Sequence, residues 1–493
     1  MEIFLFIWAL IVLSIELVGV KRKKTLATVT LVGIFIDALI GIFLLAGKNT
    51  FLHKPGGECF AGFLYITDPL SLYFKELFCL IAFIVALIST DYLKYKNLPK
   101  GEFYPLTLII TVGMMMMASA GDFLLLFISF ELMSIPLYVL AALDRSSKAS
   151  TEAGFKYFIM GVFSSALMLY GISFIYGNSG SLVFVKSISQ DMLTIITGST
   201  QGNLNTFSPT FSGVFMLGLI LIMSGICFKL AAAPFHMWSP DVYEGAPLPV
   251  TAFISVGPKA AGVAVLFRLF MDGLGELAED WAPVFAIIAL LSIIVGNLSS
   301  LRQNNIKRLL AYSGISQMGY LLLGFVGITG DVHLARTSVL FYITVYCLTN
   351  LAAFSVAILC SMYYNSENIQ DYRGLSRKSP SLAAIMLLAA FSLAGIPPLA
   401  GFVGKFYLFA SAYSAFSHRL SGFVLAAIIF SVISLFYYLR ILKYMYFTDD
   451  SSSGPIVIPG TFKTALSITT LAILFLGLVP SFHRLVEYIA KSF

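Results

Sequence analysis

Residues 211–238 read FSGVFMLGLILIMSGICFKLAAAPFHMW. From Phe211 to Phe228 there is no charged side chain, and the run stays apolar to Ala233 except for Lys229. A membrane-spanning helix needs ~20 mostly apolar residues, so 211–233 is read as a span. Pro234 then removes a backbone donor, and the carbonyl it frees needs another partner. An ionisable group at the bilayer centre costs at least ~2.5–3.5 kcal/mol, which makes Lys229 a functional candidate by default.

The rest of the chain has the same character. Of its 493 residues, 58% are hydrophobic and 11% charged, against about 25% charged in an ordinary soluble domain. The mean hydropathy of +0.90 points the same way. The net charge of +6 is spread over short loops without an aromatic stripe, so it is not a nucleic-acid footprint. The five cysteines, Cys59, Cys79, Cys227, Cys347 and Cys360, form no C-x-x-C pair. Zinc, an iron–sulfur cluster or a disulfide framework is therefore not expected. No G-x-G-x-x-G after a strand, Walker motif or H-E-x-x-H occurs, so no nucleotide or metal site is expected in this chain.

Fourteen apolar runs are long enough to span: 2–20, 26–46, 70–90, 103–120, 122–142, 156–176, 211–233, 248–270, 282–300, 306–326, 337–361, 382–410, 420–441 and 464–482. The first meets Lys21-Arg22-Lys23-Lys24 at its end, the reverse of a signal peptide's order, and is read as a retained helix. Only Gly121-Asp122 separates the fourth run from the fifth, so that turn must be tight. The longest loop, near 177–210, is rich in Ser, Gly, Asn and Thr. The odd-numbered loops hold eighteen Lys and Arg; the even-numbered loops and the C-terminus hold seven. The odd loops are therefore expected in the cytoplasm and both termini on the outer face. The fold class is all-α integral membrane, with one polytopic membrane domain over 1–493.

Beyond the basic residues counted with the loops, which include Lys307, Arg308 and Arg440 at the edges of their runs, six remain within the spans: Lys75, Lys156, Lys229, Lys259, Arg268 and Lys405. Lys156 and Arg268 lie near helix ends, where long side chains snorkel, and Lys75 has Glu76 beside it as a local counter-ion. Lys229, five residues before Pro234, and Lys405, seven after Pro398, lie deeper. Two readings are open for each: an amine that loads and releases protons, or one that ties off carbonyls loosened by the proline. Burial disfavours the charged form of an amine, and a nearby carboxylate favours it. Glu131, in Phe130-Glu131-Leu132, is the clearest carboxylate within a span. It is either a switchable partner for Lys229 or a passive counter-ion. His236, just past the break, is either a relay that titrates near neutrality or an interfacial structural residue. Glu16 and Asp37 receive no role. Finally, Phe228-Lys229-Leu230-Ala231-Ala232-Ala233-Pro234 is echoed by Phe391-Ser392-Leu393-Ala394-Gly395-Ile396-Pro397 five helices later. An odd offset inverts the second copy, a pattern of transporter repeats.

On these residues the sequence resembles the antiporter-like membrane subunits of respiratory complex I, the proton-pumping NADH:quinone oxidoreductase. The most specific stretch runs from Lys229 through Pro234-Phe235-His236-Met237-Trp238-Ser239-Pro240-Asp241 and on to Gly257-Pro258-Lys259. Phe130-Glu131-Leu132, Lys307-Arg308-Leu309-Leu310-Ala311-Tyr312-Ser313 and Gly395-Ile396-Pro397-Pro398 through Lys405 also fit. The form is most like the N-type subunits, called 2 in mitochondria and B in chloroplasts. M-type subunits carry a glutamate where Lys405 stands, and L-type subunits add a long lateral helix.

The resemblance implies fourteen helices with the seventh and twelfth broken. It also implies an N-terminal unit of three helices over 1–100, inverted five-helix repeats over 103–272 and 282–445, and a C-terminal helix over 464–493. It makes Glu131 and Lys229 a gating pair, gives Lys259 a bridging role and places Lys405 at the end of the path. Lys156 would modulate Lys229. Gln317 stands where many relatives have a histidine, so a relay there needs water or another route. FMN, iron–sulfur clusters and quinone belong to partner subunits, with none in this chain. The partners are neighbouring antiporter-like membrane subunits, the peripheral redox arm indirectly, and the lipid bilayer of a bacterial inner membrane. The rivals are a subunit of a multi-component sodium/proton antiporter or membrane-bound hydrogenase, and a purely structural membrane spacer.

Overall fold

Long apolar runs with no strand alternation bury their backbone polar groups only as helices, and helices dominate the computed structural model. It describes residues 1–18, 23–46, 58–60, 64–184, 213–415, 421–448, 455–479 and 481–491. The helices are α1 (Glu2–Leu17), α2 (Lys23–Ala46), α3 (Pro69–Tyr95), α4 (Lys100–Ser119), α5 (Phe123–Ala141), α6 (Lys148–Ser179), α7 (Gly213–Leu230), α8 (Trp238–Gly245), α9 (Leu248–Leu266), α10 (Ala278–Ser300), α11 (Ile306–Val326), α12 (Val332–Tyr364), α13 (Pro380–Ala394), α14 (Ala400–Ser414), α15 (Ser421–Phe447), α16 (Gly460–Leu478) and α17 (Ser481–Lys491). One small antiparallel ribbon, β1 (Glu58–Phe60) with β2 (Tyr65–Thr67), was not expected. Among the described residues, twelve helices are long and apolar enough to cross a membrane. This is a multi-pass membrane protein.

Several helices extend beyond the apolar runs because polar caps carry them on. Ser147 accepts from Ser150 N at the start of α6, which begins at residue 148 rather than 156. Asp331 caps α12, which begins at 332 rather than 337. A side-chain oxygen there satisfies an N–H that the helix cannot. The narrow turn between α4 and α5 is real: Gly121 N donates to Leu64 O at 2.9 Å, and Asp122 caps α5 through Leu125 N at 2.6 Å. The run 382–410 is not continuous. It breaks into α13 and α14 at Gly395, whose φ of +87° only glycine adopts freely. From residue 185 on, the long loop near 177–210 lies outside the described residues. Helix α17 was not among the expected spans.

Burial sorts the helices. Every residue of α9 is buried, as is α12 from Ala335 to Ser361. These two helices form the centre, and the hairpin of α10 and α11 packs beside them. Gly319 permits that close approach: a Cβ there would meet Ala289 O at 2.7 Å. Helix α15 instead exposes Leu425, Ile429, Val432 and Phe436. Such a patch is too large for a water-facing surface and suits lipid. Every predicted site residue except Lys156, Glu131 and His236 points into the buried centre.

Candidate functional site

The site begins where α7 stops. Its last turn carries Lys229, and the backbone then breaks: Ala231 has φ +54° and the Ala233–Pro234 peptide is cis. The groups released by the break find partners other than the lysine. Phe228 O accepts from Ala231 N and from the Trp238 indole at 3.0 Å each, and Ala233 N donates to Ser292 Oγ at 2.8 Å. Lys229 is 1% exposed. Its Nζ reaches one hydroxyl, Tyr138 Oη at 3.4 Å, and otherwise lies among the rings of Phe130, Tyr138, Tyr157 and Phe228 at 5.0–5.8 Å from their centroids. Ring faces attract an ammonium but offer it no strong acceptor.

Lys259, fully buried in α9, is held as lightly. Its Nζ donates to Tyr346 Oη at 3.3 Å. That phenol donates in turn to Ser255 O at 3.0 Å and accepts from Asn350 Nδ2 at 3.4 Å. A Cβ on Gly314 would come within 2.6 Å of the amine, so this glycine makes room for it.

Lys405, in α14, differs. Its Nζ donates to Leu393 O at 2.9 Å, Ala394 O at 3.1 Å and Ser431 Oγ at 3.1 Å. These occupy all three of its donors and close the carbonyls left open where α13 ends. Of the two readings left open by the sequence, carbonyl tying is seen at Lys405 and not at Lys229. Between Lys259 and Lys405 stands Gln317. Its Nε2 donates to the same Leu393 O at 2.9 Å and to Tyr438 Oη at 3.4 Å, and its Oε1 accepts from Tyr342. Tyr438 also bonds Ser313 Oγ at 2.5 Å. The non-titrating residue thus joins a chain of hydroxyls to the Lys405 end.

The family described as NADH:quinone oxidoreductase/Mrp antiporter, TM, matches residues 120–434. The protein of Moorella thermoacetica named NADH-quinone oxidoreductase subunit N is 42% identical over 91% of this chain and 90% of its own. The chain belongs to this antiporter-like family. A chain in the structure of respiratory complex I from Thermus thermophilus with bound Aureothin is 30% identical, covers 97% of both chains and superposes with a TM-score of 0.77. A chain of the Mrp complex from Dietzia sp. superposes with a TM-score of 0.83 over 100% of this chain and 96% of its own. At 19% identity, that likeness speaks for the fold alone.

In this antiporter-like chain not every expected residue joins the buried site. Glu131 is half-buried on α5, with Oε1 buried and without a hydrogen-bond partner. Among the described residues no ion pair joins it to Lys229; Tyr138, two turns further along α5, holds the lysine instead. Lys156 is half-exposed and pairs with Glu152 at 2.8 Å and Asp241 at 3.0 Å. Arg308 reaches the same Asp241 at 2.9 Å. Burial pushes the Asp241 carboxyl up, but the hydrogen bonds from Lys156 and Arg308 outweigh it and hold it below the usual aspartate value. Lys156 therefore pins α8, against which its neighbour Tyr157 stacks through Trp238 with ring centroids 4.5 Å apart. His236 lies in the gap between α7 and α8, half-buried, with Nδ1 lacking a partner.

Two expectations for this family member are corrected. Lys75 pairs not with Glu76 but with Glu2 of α1 at 2.8 Å, because consecutive residues on a helix do not face each other. Arg268 does not snorkel. It grips Asp68 through two 2.5 Å bonds and Ala118 O at 3.0 Å. The residues missed by the sequence reading are the hydroxyls and amides: Tyr138, Ser255, Ser313, Tyr342, Tyr346, Asn350, Ser431 and Tyr438. Only Tyr138 had a local signal, its i+7 spacing from Glu131.

Proposed function

We propose that this chain is the proton-translocating N-type membrane subunit of an NADH-quinone oxidoreductase, coupling quinone reduction elsewhere in the complex to proton pumping. The observation that carries this reading is the burial of Lys229, Lys259 and Lys405 at 1%, 0% and 3% exposure beside two broken helices, in a chain 42% identical to a protein named as that subunit. An amine with little hydration gives up its proton more readily than one in water. A small change in the charges around it therefore moves a proton.

In this reading the membrane plan has fourteen crossings. Helix α1 counts as one, α7 with α8 as a broken seventh, and α13 with α14 as a broken twelfth. Residues 103–272 and 282–445 are inverted repeats, following a three-helix unit over 1–100 and preceding the C-terminal helix over 464–493. Both termini lie on the outer face of a bacterial inner membrane. Glu131 reaches toward a neighbouring membrane subunit and closes on Lys229 through Tyr138 when that neighbour's charge changes. Lys259 passes the proton by way of Tyr346, and the Gln317 hydroxyl chain leads to Lys405. Lys156 modulates Lys229 by holding α8, and His236 relays at the gap. FMN, iron–sulfur clusters and quinone reside in partner subunits. Among the described residues no three His, Cys, Asp or Glu side chains are grouped to hold a metal.

The test is Lys229→Ala in the assembled complex reconstituted in vesicles. Loss of proton pumping with assembly intact is the expected outcome; unchanged pumping makes the chain a spacer and ends this reading. Co-purification with flavin and iron–sulfur subunits separates it from the sodium/proton antiporter and hydrogenase readings.

A further inference from the structure

Helices α2 and α3 bring together two acids that the lysine path does not use, and both lie outside residues 120–434, the stretch matched by the antiporter family. Asp37 of α2 is 0% exposed, and its Oδ2 accepts from the buried thiol of Cys79 on α3 at 3.5 Å. Gly41 stands one turn beyond Asp37, and Glu76 one turn before Cys79, so each couple shares a helix face. A Cβ on Gly41 would collide with Glu76 Oε1; the missing side chain is what admits the Glu76 carboxyl to the Asp37 face of α2. The remaining oxygens, Asp37 Oδ1 and Glu76 Oε1, are buried without a hydrogen-bond partner among the described residues. The charges nearby are directed at a third acid, Glu2 of α1. Lys75 Nζ pairs with Glu2 Oε1 at 2.8 Å, Tyr65 Oη of β2 donates to the same oxygen at 2.5 Å, and the Met1 amine lies 4.0 Å from Glu2 Oε2. Helix α4, which also packs on α2 and α3, is uncharged from Phe103 to Ser119. Among the described residues no ion pair joins Asp37 or Glu76.

We propose that Asp37 and Glu76 bind one hydrogen ion between them, a second proton-binding site in this chain, separate from the buried lysines. A buried carboxylate with neither cation nor donor is costly and is neutralised instead. Two carboxylates in one site do not both ionise, and the proton they keep belongs to the pair rather than to either residue. One proton also meets both orphaned oxygens, because a protonated carboxyl is a donor and its neighbour accepts. A metal ion fits less well. It takes several oxygen ligands in one shell, whereas among the described residues no three His, Cys, Asp or Glu are so grouped, and the hydroxyl of Tyr65 is taken by Glu2 and Lys75. The site does not rest on the translocation reading.

The experiment uses the assembled complex in lipid vesicles. Its first arm is infrared spectroscopy at neutral pH. Parent-minus-variant spectra should show one un-ionised carboxyl C=O band that moves on exchange into D2O, and the same band should be lost in Asp37→Asn and in Glu76→Gln. Each amide keeps the shape of the protonated acid and donates to the acid that remains, which then ionises. A band lost in only one variant, or in neither, overturns the shared proton. Replacing choline with sodium in the buffer should leave the band in place; its disappearance marks a metal-ion site and overturns the proposal as well. The second arm needs no substitution. Dicyclohexylcarbodiimide adds the O–H of an un-ionised carboxyl across an N=C bond: the carboxyl oxygen bonds the central carbon and the proton goes to nitrogen. The acyl group then migrates to nitrogen and leaves a stable N-acylurea. Glu76 is half-buried, and α2 exposes Leu39, Ile42 and Phe43 to lipid, so a lipid-soluble reagent reaches the pair. Peptide masses of the parent should place the adduct on Asp37 or Glu76 at neutral pH, more slowly in alkali, and not on the ion-paired Glu2. A pair that stays unlabelled, or is labelled no faster than Glu2, overturns the proposal. Neither arm reads pumping, so failure of the translocation reading would leave this site standing, and its own failure would leave that reading untouched.

Discussion

Lys229 and Lys405 stand beside matching breaks in two helices, and the structure holds them in opposite ways. Around Lys229 the break is closed by Trp238, Ser292 and backbone N–H groups, which leaves the amine one distant phenol and four ring faces. At Lys405 the lysine itself closes the break, with three donors on two carbonyls and a serine. The first amine can change its charge state without unmaking the backbone around it. The second does so only by loosening a donor that is part of the fold. Two lysines that read alike in sequence thus differ in how firmly the fold holds their amines.

Paired substitutions test this division most severely. Lys229→Met should stop pumping while the complex melts close to the parent temperature. Lys405→Met removes three buried hydrogen bonds, leaving Leu393 O to Gln317 and Ala394 O to Ser431, and should lower the stability of the subunit by about 1.5–4.5 kcal/mol, since each such bond is worth ~0.5–1.5 kcal/mol. Thermal unfolding of both purified complexes decides it; equal losses of stability would erase the contrast. A smaller effect is expected of Tyr138→Phe. It removes the one hydrogen-bond acceptor of Lys229, worth ~0.5–1.5 kcal/mol, and should slow pumping by up to about tenfold with little change in melting. Gly161→Ala should mimic it more weakly, since a Cβ there would press on the Tyr138 hydroxyl, and pumping rates of the two variants side by side will show the ranking.

The smallest effect concerns the exposed network that pins α8. Asp241 is held below the ordinary aspartate value, so its contribution is fully present above that value and is lost as pH falls through the lowered one. Being half-exposed, the network is screened by solvent. Asp241→Asn should therefore leave pumping near neutrality almost unchanged and shift only the acid limb of unfolding, as followed by a pH series of melting curves. A large drop at neutral pH would show that α8 depends on this pin far more than the Lys229 cage suggests.

Much of the molecule was legible before any coordinates. Apolar run length located the helices, because a bilayer tolerates no unpaired backbone and offers only the helix to such runs. The deep lysines were visible for the same reason: in a chain this apolar, each charge within a run is an exception that has to be explained. Proline at 234 marked where one helix would stop, whereas the stop at Gly395 lay inside a run read as continuous. Run length could not show the aqueous ends of α6 and α12, which depend on caps outside the apolar window, nor the short helix α17.

The partners of the lysines lay beyond the reach of sequence. Tyr346 meets Lys259 across 87 positions, and Tyr138 meets Lys229 across 91. No local pattern sets such meetings; helix packing does. A tyrosine, serine or asparagine in an apolar helix is ordinary until its neighbours are known. The amino acids alone determined that this protein lives in a membrane and keeps amines inside it, because the energy of placing charge in lipid is large and local. The fold decided which amine is tied to backbone and which is left nearly free, because hydrogen bonds act over about 3 Å and only folding brings residues so far apart in the chain that close together.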